Sequence, residues 1–150
     1  MRRCPEEAHH YAGAMPAPGM LDLRLADDAG VSVSVLSLGL ACCAVEVDAA
    51  VQAGLLIPSD TIEGPAPRLT VLVVAGTVTA PLVPVVESAL AALPATSAVL
   101  AFGACASTGG PYWDSPSVIN GVDRLVEVRQ YVPGCPPRPE ALCDALREMA

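Results

Sequence analysis

LTVLVVAGTVTAPLVPVVESALAALPATSAVLAFGAC, residues 69–105, places a helical pattern between two unbroken apolar runs. LTVLVVA and SAVLAF show no alternation, as strands do when they are covered on both faces, the usual condition of a parallel sheet. Between them Leu82, Val86, Leu90 and Leu93 fall on one helical face, and Pro94 stops the helix. Strand, helix, strand in this order is a parallel crossover. Leu69 to Val86 carries no charge over a length that could span a bilayer, but Gly76, Pro81 and Pro84 break it into a strand and a turn.

Upstream, LDLRLADD and VSVSVLSLGL alternate apolar and polar residues and read as two strands separated by Asp28-Ala-Gly30. CCAVEVDAAVQAGLL follows, with Val47, Val51 and Leu55 on one stripe of an amphipathic helix. Pro58 to Pro67 is a connector rich in proline and glycine. Downstream, DRLVEVRQYVPGC reads as a strand ending at Cys135. PRPEALCDALREM reads as a helix with Pro139 near its first turn, Glu140 at its positive end and Leu142, Leu146 and Met149 as its stripe. These elements predict a flavodoxin-like α/β three-layer sandwich with a mainly parallel sheet, formed by one domain over residues 21–150. Residues 1–20 mix Pro, Gly, acids and histidines without periodicity and read as a flexible N-terminal arm.

The net charge is -8, with sixteen acids, eight arginines and no lysine, which argues against nucleic acid or an anionic membrane surface as a direct partner. No apolar segment follows Arg2 and Arg3, so the start does not read as a secretory signal. In a reducing compartment six cysteines point to metal or redox use rather than to a disulfide framework.

Cys42 and Cys43 are adjacent, at a strand-to-helix junction. A disulfide between them would close a cramped ring, and zinc sites space their cysteine pairs further apart. Cys105 and Cys135 likewise follow apparent parallel strands, at the edge where open α/β sheets bind ligands. If those strand ends converge, Cys42, Cys43, Cys105 and Cys135 supply the four thiolates of one 4Fe-4S cluster. Gly103 and Gly134 would let backbone pass close to a bulky inorganic core, with Pro133, Pro136 and Pro137 fixing the loop. Cys143, mid-helix, and Cys4, in the arm, read as ordinary structural cysteines. His9 and His10 read as solvated, Asp123 and Arg124 as a surface pair, and Glu46 as a dipole-favoured acid that could also tune a cluster or relay a proton. The aromatics of Gly-Gly-Pro-Tyr-Trp, residues 109–113, could cover the site, face a partner or simply pack their loop. No nucleotide-binding loop and no Ser/His/Asp set is present, so no catalytic acid, base or nucleophile is expected.

LACCAVE (40–46), VVAGTVT (73–79), FGACASTGGPYWDSPSVINGVDRLVEV (102–128) and YVPGCPPRPEAL (131–142) resemble the 20 kDa subunit family of NADH-quinone oxidoreductase, respiratory complex I, over about Gly39 to Leu146. The resemblance implies that Cys42, Cys43, Cys105 and Cys135 bind the terminal 4Fe-4S cluster, which passes electrons to quinone in a translocase-type complex. It also implies a large hydrogenase-like subunit sharing the quinone pocket, a ferredoxin-like subunit upstream, and a peripheral place on the cytoplasmic face of the cell membrane held through those partners. Small subunits of hydrogenases are similar but usually separate the first two cysteines. Alternative readings are an electron-transfer subunit of a non-quinone reductase complex, or a non-catalytic assembly paralogue. Two departures stand out. The family's Trp-Pro-x-x-Phe element is Val35-Leu-Ser-Leu38 here, and of the family's Arg- and Phe-containing run ending in Ser-Pro-Arg only Arg68 remains.

Overall fold

Leu69–Gly76 forms the central strand β4 of a six-stranded sheet, and its side chains explain its unbroken hydrophobicity. Val71, Val73 and Ala75 enter the core on one face while Leu72 and Val74 enter the core on the other. In chain order the elements are β1 (Met20–Leu25), β2 (Asp28–Leu38), α1 (Cys42–Gln52), β3 (Leu56–Pro58), β4, α2 (Val83–Ala92), β5 (Ala98–Phe102), α3 (Ala104–Thr108), β6 (Gln130–Val132) and α4 (Pro139–Met149). The structure, a computed structural model, describes residues 20–38, 42–61 and 66–150.

The strand order is β3-β1-β2-β4-β5-β6. β2, β4, β5 and β6 pair in parallel, whereas β1 is antiparallel to both β2 and β3. With β1 set aside, the remaining strands stand in the order 2-1-3-4-5 of the flavodoxin-like fold. β1 is thus an added strand wedged between the first and second of that order. One face of the sheet is covered by α1 and α4, through Val47, Ala50, Leu142 and Leu146. The other carries α2, through Val86 and Ala89, and the segment around Val122. The three layers and the mainly parallel sheet are those expected.

β2 shows why its sequence alternates. Val31, Val33 and Val35 face α1 and α4, while Ser34 points the other way and is 3% exposed. Its hydroxyl donates to Asp22 Oδ1 at 2.6 Å, so the buried polar group is satisfied.

Four boundaries differ from expectation. The β1–β2 turn is Ala26–Asp27, and Asp28 already pairs with Leu25 inside β2. α1 stops at Gln52 because Gly54, left-handed at φ 70°, caps it; Gly54 N donates to Val51 O and Leu55 N to Ala50 O, a Schellman pair. Leu55 therefore lies beyond the helix, packed against the core, and the chain turns into β3, which no periodicity announces over its three residues. β6 keeps only Gln130–Val132 of the longer strand expected, paired with Leu100–Phe102 of β5. Leu125, Val126 and Val128 instead pack against the α2-side core. Met20 opens β1. Residues 1–19, with Cys4, His9 and His10, lie outside the described residues.

Candidate metal centre

The carboxyl ends of β2, β5 and β6 meet at one edge of the sheet. Cys42 and Cys43 open α1 just past β2, Cys105 sits in α3 just past β5, and Cys135 follows β6. The β5 and β6 ends are tied by backbone: Gly103 N donates to Val132 O at 2.9 Å and Ala104 N to Gly134 O at 2.8 Å. Those two bonds hold the Cys105 and Cys135 loops side by side.

The four thiols differ in environment. Cys43 is 2% exposed and Cys105 8%, while Cys42 and Cys135 lie open on the surface. Burial pushes the Cys43 thiol up to about 12, and the neighbouring sulfurs of Cys42, Cys105 and Cys135 add to that rise, as does a hydrogen bond with Cys42. Without a bound cation Cys43 is therefore a neutral thiol at neutral pH.

The backbone around this group leaves room only for sulfur. Gly103, between β5 and α3, has φ 90°, and a Cβ there would run into the Cys43 sulfur. Gly134, at φ 146°, spends its freedom on its own loop, because a Cβ there would lie 2.6 Å from Pro137. Among the described residues no three His, Cys, Asp or Glu side chains close around a single metal ion. A donor set of thiols alone, two from the start of α1 and one each from α3 and the loop after β6, fits an iron-sulfur core that takes one thiolate per iron.

Other residues singled out in the sequence fall as follows. Cys143 is fully buried in the core between α4 and the sheet. Glu46 is half-buried on α1, past its first turn rather than in it. Asp123 and Arg124 share the short turn Val122–Arg124 and form no ion pair with each other; burial, with the Asp123 carboxylate second, raises the pKa of the Tyr131 hydroxyl on β6. Tyr112 and Trp113 are 57% and 64% exposed and so pack little of their own loop. Val35, Leu36 and Leu38 are sealed in the core. Arg68 pairs with Asp28, Nη1 to Oδ1 at 2.7 Å, at the amino end of the sheet, opposite the cysteines.

Residues 29–149 match the family model for the NADH ubiquinone oxidoreductase 20 kDa subunit. The chain belongs to this family. Among curated relatives of the 20 kDa subunit, the NADH-quinone oxidoreductase B 2 subunit of Streptomyces griseus is 44% identical over 125 residues, which are 79% of this chain and 52% of the relative. The B 2 subunit of Symbiobacterium thermophilum is 43% identical over 123 residues, 80% of this chain and 68% of that one. The chain spans about half the length of the Streptomyces protein. Among solved structures, a chain of the membrane-bound sulfane sulfur reductase, an archaeal respiratory membrane complex, superposes with a TM-score of 0.60 at 26% identity, covering 78% of this chain and 66% of that one. A chain of an NAD+-reducing [NiFe]-hydrogenase shares the fold, with a TM-score of 0.51 at 18% identity over 79% of this chain and 89% of that chain.

Proposed function

We propose that the chain holds one 4Fe-4S cluster on Cys42, Cys43, Cys105 and Cys135 and serves as an electron-transfer subunit of an NADH-quinone oxidoreductase-like complex, moving electrons towards quinone. The observation that carries this reading is the placement of all four cysteines at the carboxyl edge of a parallel sheet, with the Cys105 and Cys135 loops tied together by backbone hydrogen bonds and the Cys43 sulfur set against Gly103 between them. When bound, such a cluster supplies reversible one-electron transfer.

The chain's part is to bind and to exclude water. Cys43 and Cys105 anchor from the buried side, Cys42 and Cys135 from the open side, and Gly103 keeps the space between β5 and Cys43 free of carbon. Cys43 must release its proton to become a ligand, so binding is linked to proton release and weakens as pH falls.

Partner docking over the same edge is supported by what is exposed there. Leu21, Val45, Tyr112, Trp113 and Tyr131, the large apolar side chains left open to solvent among the described residues, all lie towards the carboxyl ends of the strands. A large hydrogenase-like subunit covering them, with a ferredoxin-like subunit upstream, accounts for that distribution. No helix among the described residues is long and apolar enough to cross a membrane, so the place proposed for the chain, at the cytoplasmic face of the cell membrane, is held through those partners.

A second reading, electron transfer within a reductase complex that does not use quinone, is favoured by the likeness to the sulfane sulfur reductase chain and by the burial of Val35, Leu36 and Leu38, which offer no aromatic wall to a quinone. The experiment that tests cluster binding is low-temperature EPR of anaerobically purified, dithionite-reduced protein, with iron and sulfide measured on the same sample. About four irons per chain and one cluster signal, both lost in Cys105→Ser, are expected. Protein without iron or sulfide would overturn the proposal.

A further inference from the structure

After Cys105 the chain doubles back on itself. α3 runs for five residues, Gly109 caps it at φ 86° with its N–H on Cys105 O at 3.0 Å, and Gly110 follows at φ 54°. Two successive left-handed residues turn the backbone so sharply that Gly110 lies against the residue five places before it. A Cβ on Gly110 would stand 2.9 Å from the Cys105 sulfur, 3.1 Å from its backbone nitrogen and 3.2 Å from its Cα. The approach to the sulfur is closer than real Cβ atoms show, and the two tight backbone distances belong to atoms that cannot rotate away, so it is the sulfur that must shift.

The distal end of the turn is fixed as well. Ile119 N donates to Val78 O at 2.8 Å and Ala80 N to Ser117 O at 2.8 Å, so the long loop is sewn to the segment after β4. With α3 anchored on the sheet and the loop anchored on that segment, contact at Gly110 bears directly on Cys105.

Resting on the cluster reading above, we infer that Gly110 is a positioning residue for the Cys105 thiolate: its bare Cα forms a wall that sets where that sulfur stands. The wall is specific to position 110. The atoms nearest a Cβ on the neighbouring Gly109 belong to Asn120, at 2.6 Å, and Trp113, whereas one on Gly54, equally left-handed, would meet nothing within 4 Å. Gly54→Ala therefore imposes the left-handed backbone cost without touching the ligand, while Gly109→Ala would add a clash with Asn120 in the turn that carries Cys105.

The test compares anaerobically purified Gly110→Ala with two controls, wild type and Gly54→Ala, by the rate of iron loss to a chelator and by the g-values of the reduced cluster. Gly110→Ala is expected to lose iron about 10-fold faster than either control and to show shifted g-values, while Gly54→Ala keeps the wild-type spectrum. Gly110→Asn, which accepts left-handed backbone more readily and still carries a Cβ, takes its place should the alanine variant not fold. Identical loss rates and spectra for the position-110 variant and the controls would overturn the inference. Wild-type protein without iron would instead overturn the cluster reading beneath it.

Discussion

Two cysteines with raised thiol pKa values play opposite parts. Cys143 is fully buried, and burial pushes its thiol up to about 11. A raised folded-state value means that the folded chain holds the proton more tightly than the unfolded chain, whose thiol titrates near 9.0. The contribution of Cys143 to stability is thus complete below about pH 9 and is lost as pH rises to about 11. Denaturant midpoints of cluster-free protein should be flat through neutral pH and fall above about pH 9, and Cys143→Ala should lessen the fall, leaving the part that Cys43 contributes. Alkylation at pH 8 followed by mass spectrometry should mark Cys42 and Cys135, which are exposed, long before Cys143. Labelling of Cys143 at the same rate would contradict its burial. The tandem cysteines stand out in the sequence as candidate ligands because adjacency suits neither a disulfide nor zinc. Which of the pair is buried was not legible, since one residue of helix rotation decides it.

At the scale of the element, α4 separates packing from charge in adjacent residues. Leu146 is fully buried between helix and sheet, whereas Arg147 bonds Asp27 in the β1–β2 turn at 2.8 Å and Asp144 at 2.7 Å from a side chain 40% exposed. Leu146→Ala should cost about 2–5 kcal/mol in urea unfolding of the cluster-free chain. Arg147→Ala should cost less than about 1 kcal/mol, and that difference should shrink in high salt. Equal losses would mean that the ion pairs hold α4 more than its apolar stripe does. The helices were readable from their stripes, with Leu142, Leu146 and Met149 all buried as their spacing implies. Short elements were harder: β3 spans three residues, too few for a period, and exists because β1 offers it hydrogen bonds, while β6 was legible as a strand but not in its three-residue extent.

Across the molecule, the exposed apolar side chains and the thiols share one edge of the sheet, and what covers that edge should not be what folds the chain. Replacing Tyr112 and Trp113 together with serine should leave the melting temperature of the isolated chain unchanged while reducing its co-purification with the large hydrogenase-like subunit proposed above as its partner. A drop in melting temperature with intact co-purification would place these aromatics in the fold instead. The class of the fold, its three layers and the four cysteines worth proposing as ligands all follow from the order of residues along the chain. Unbroken apolar strands have no stable place except inside a parallel sheet, and turn residues mark where each strand ends. Packing in three dimensions was needed to place β1 between the first two strands of the flavodoxin-like order, and to make Cys43 the buried member of its pair. The same packing spends Arg68 on Asp28 at the far edge and folds Gly110 back onto Cys105. Each of these depends on contacts between segments distant in the chain or on a turn whose path closes on itself, and local periodicity carries no record of either.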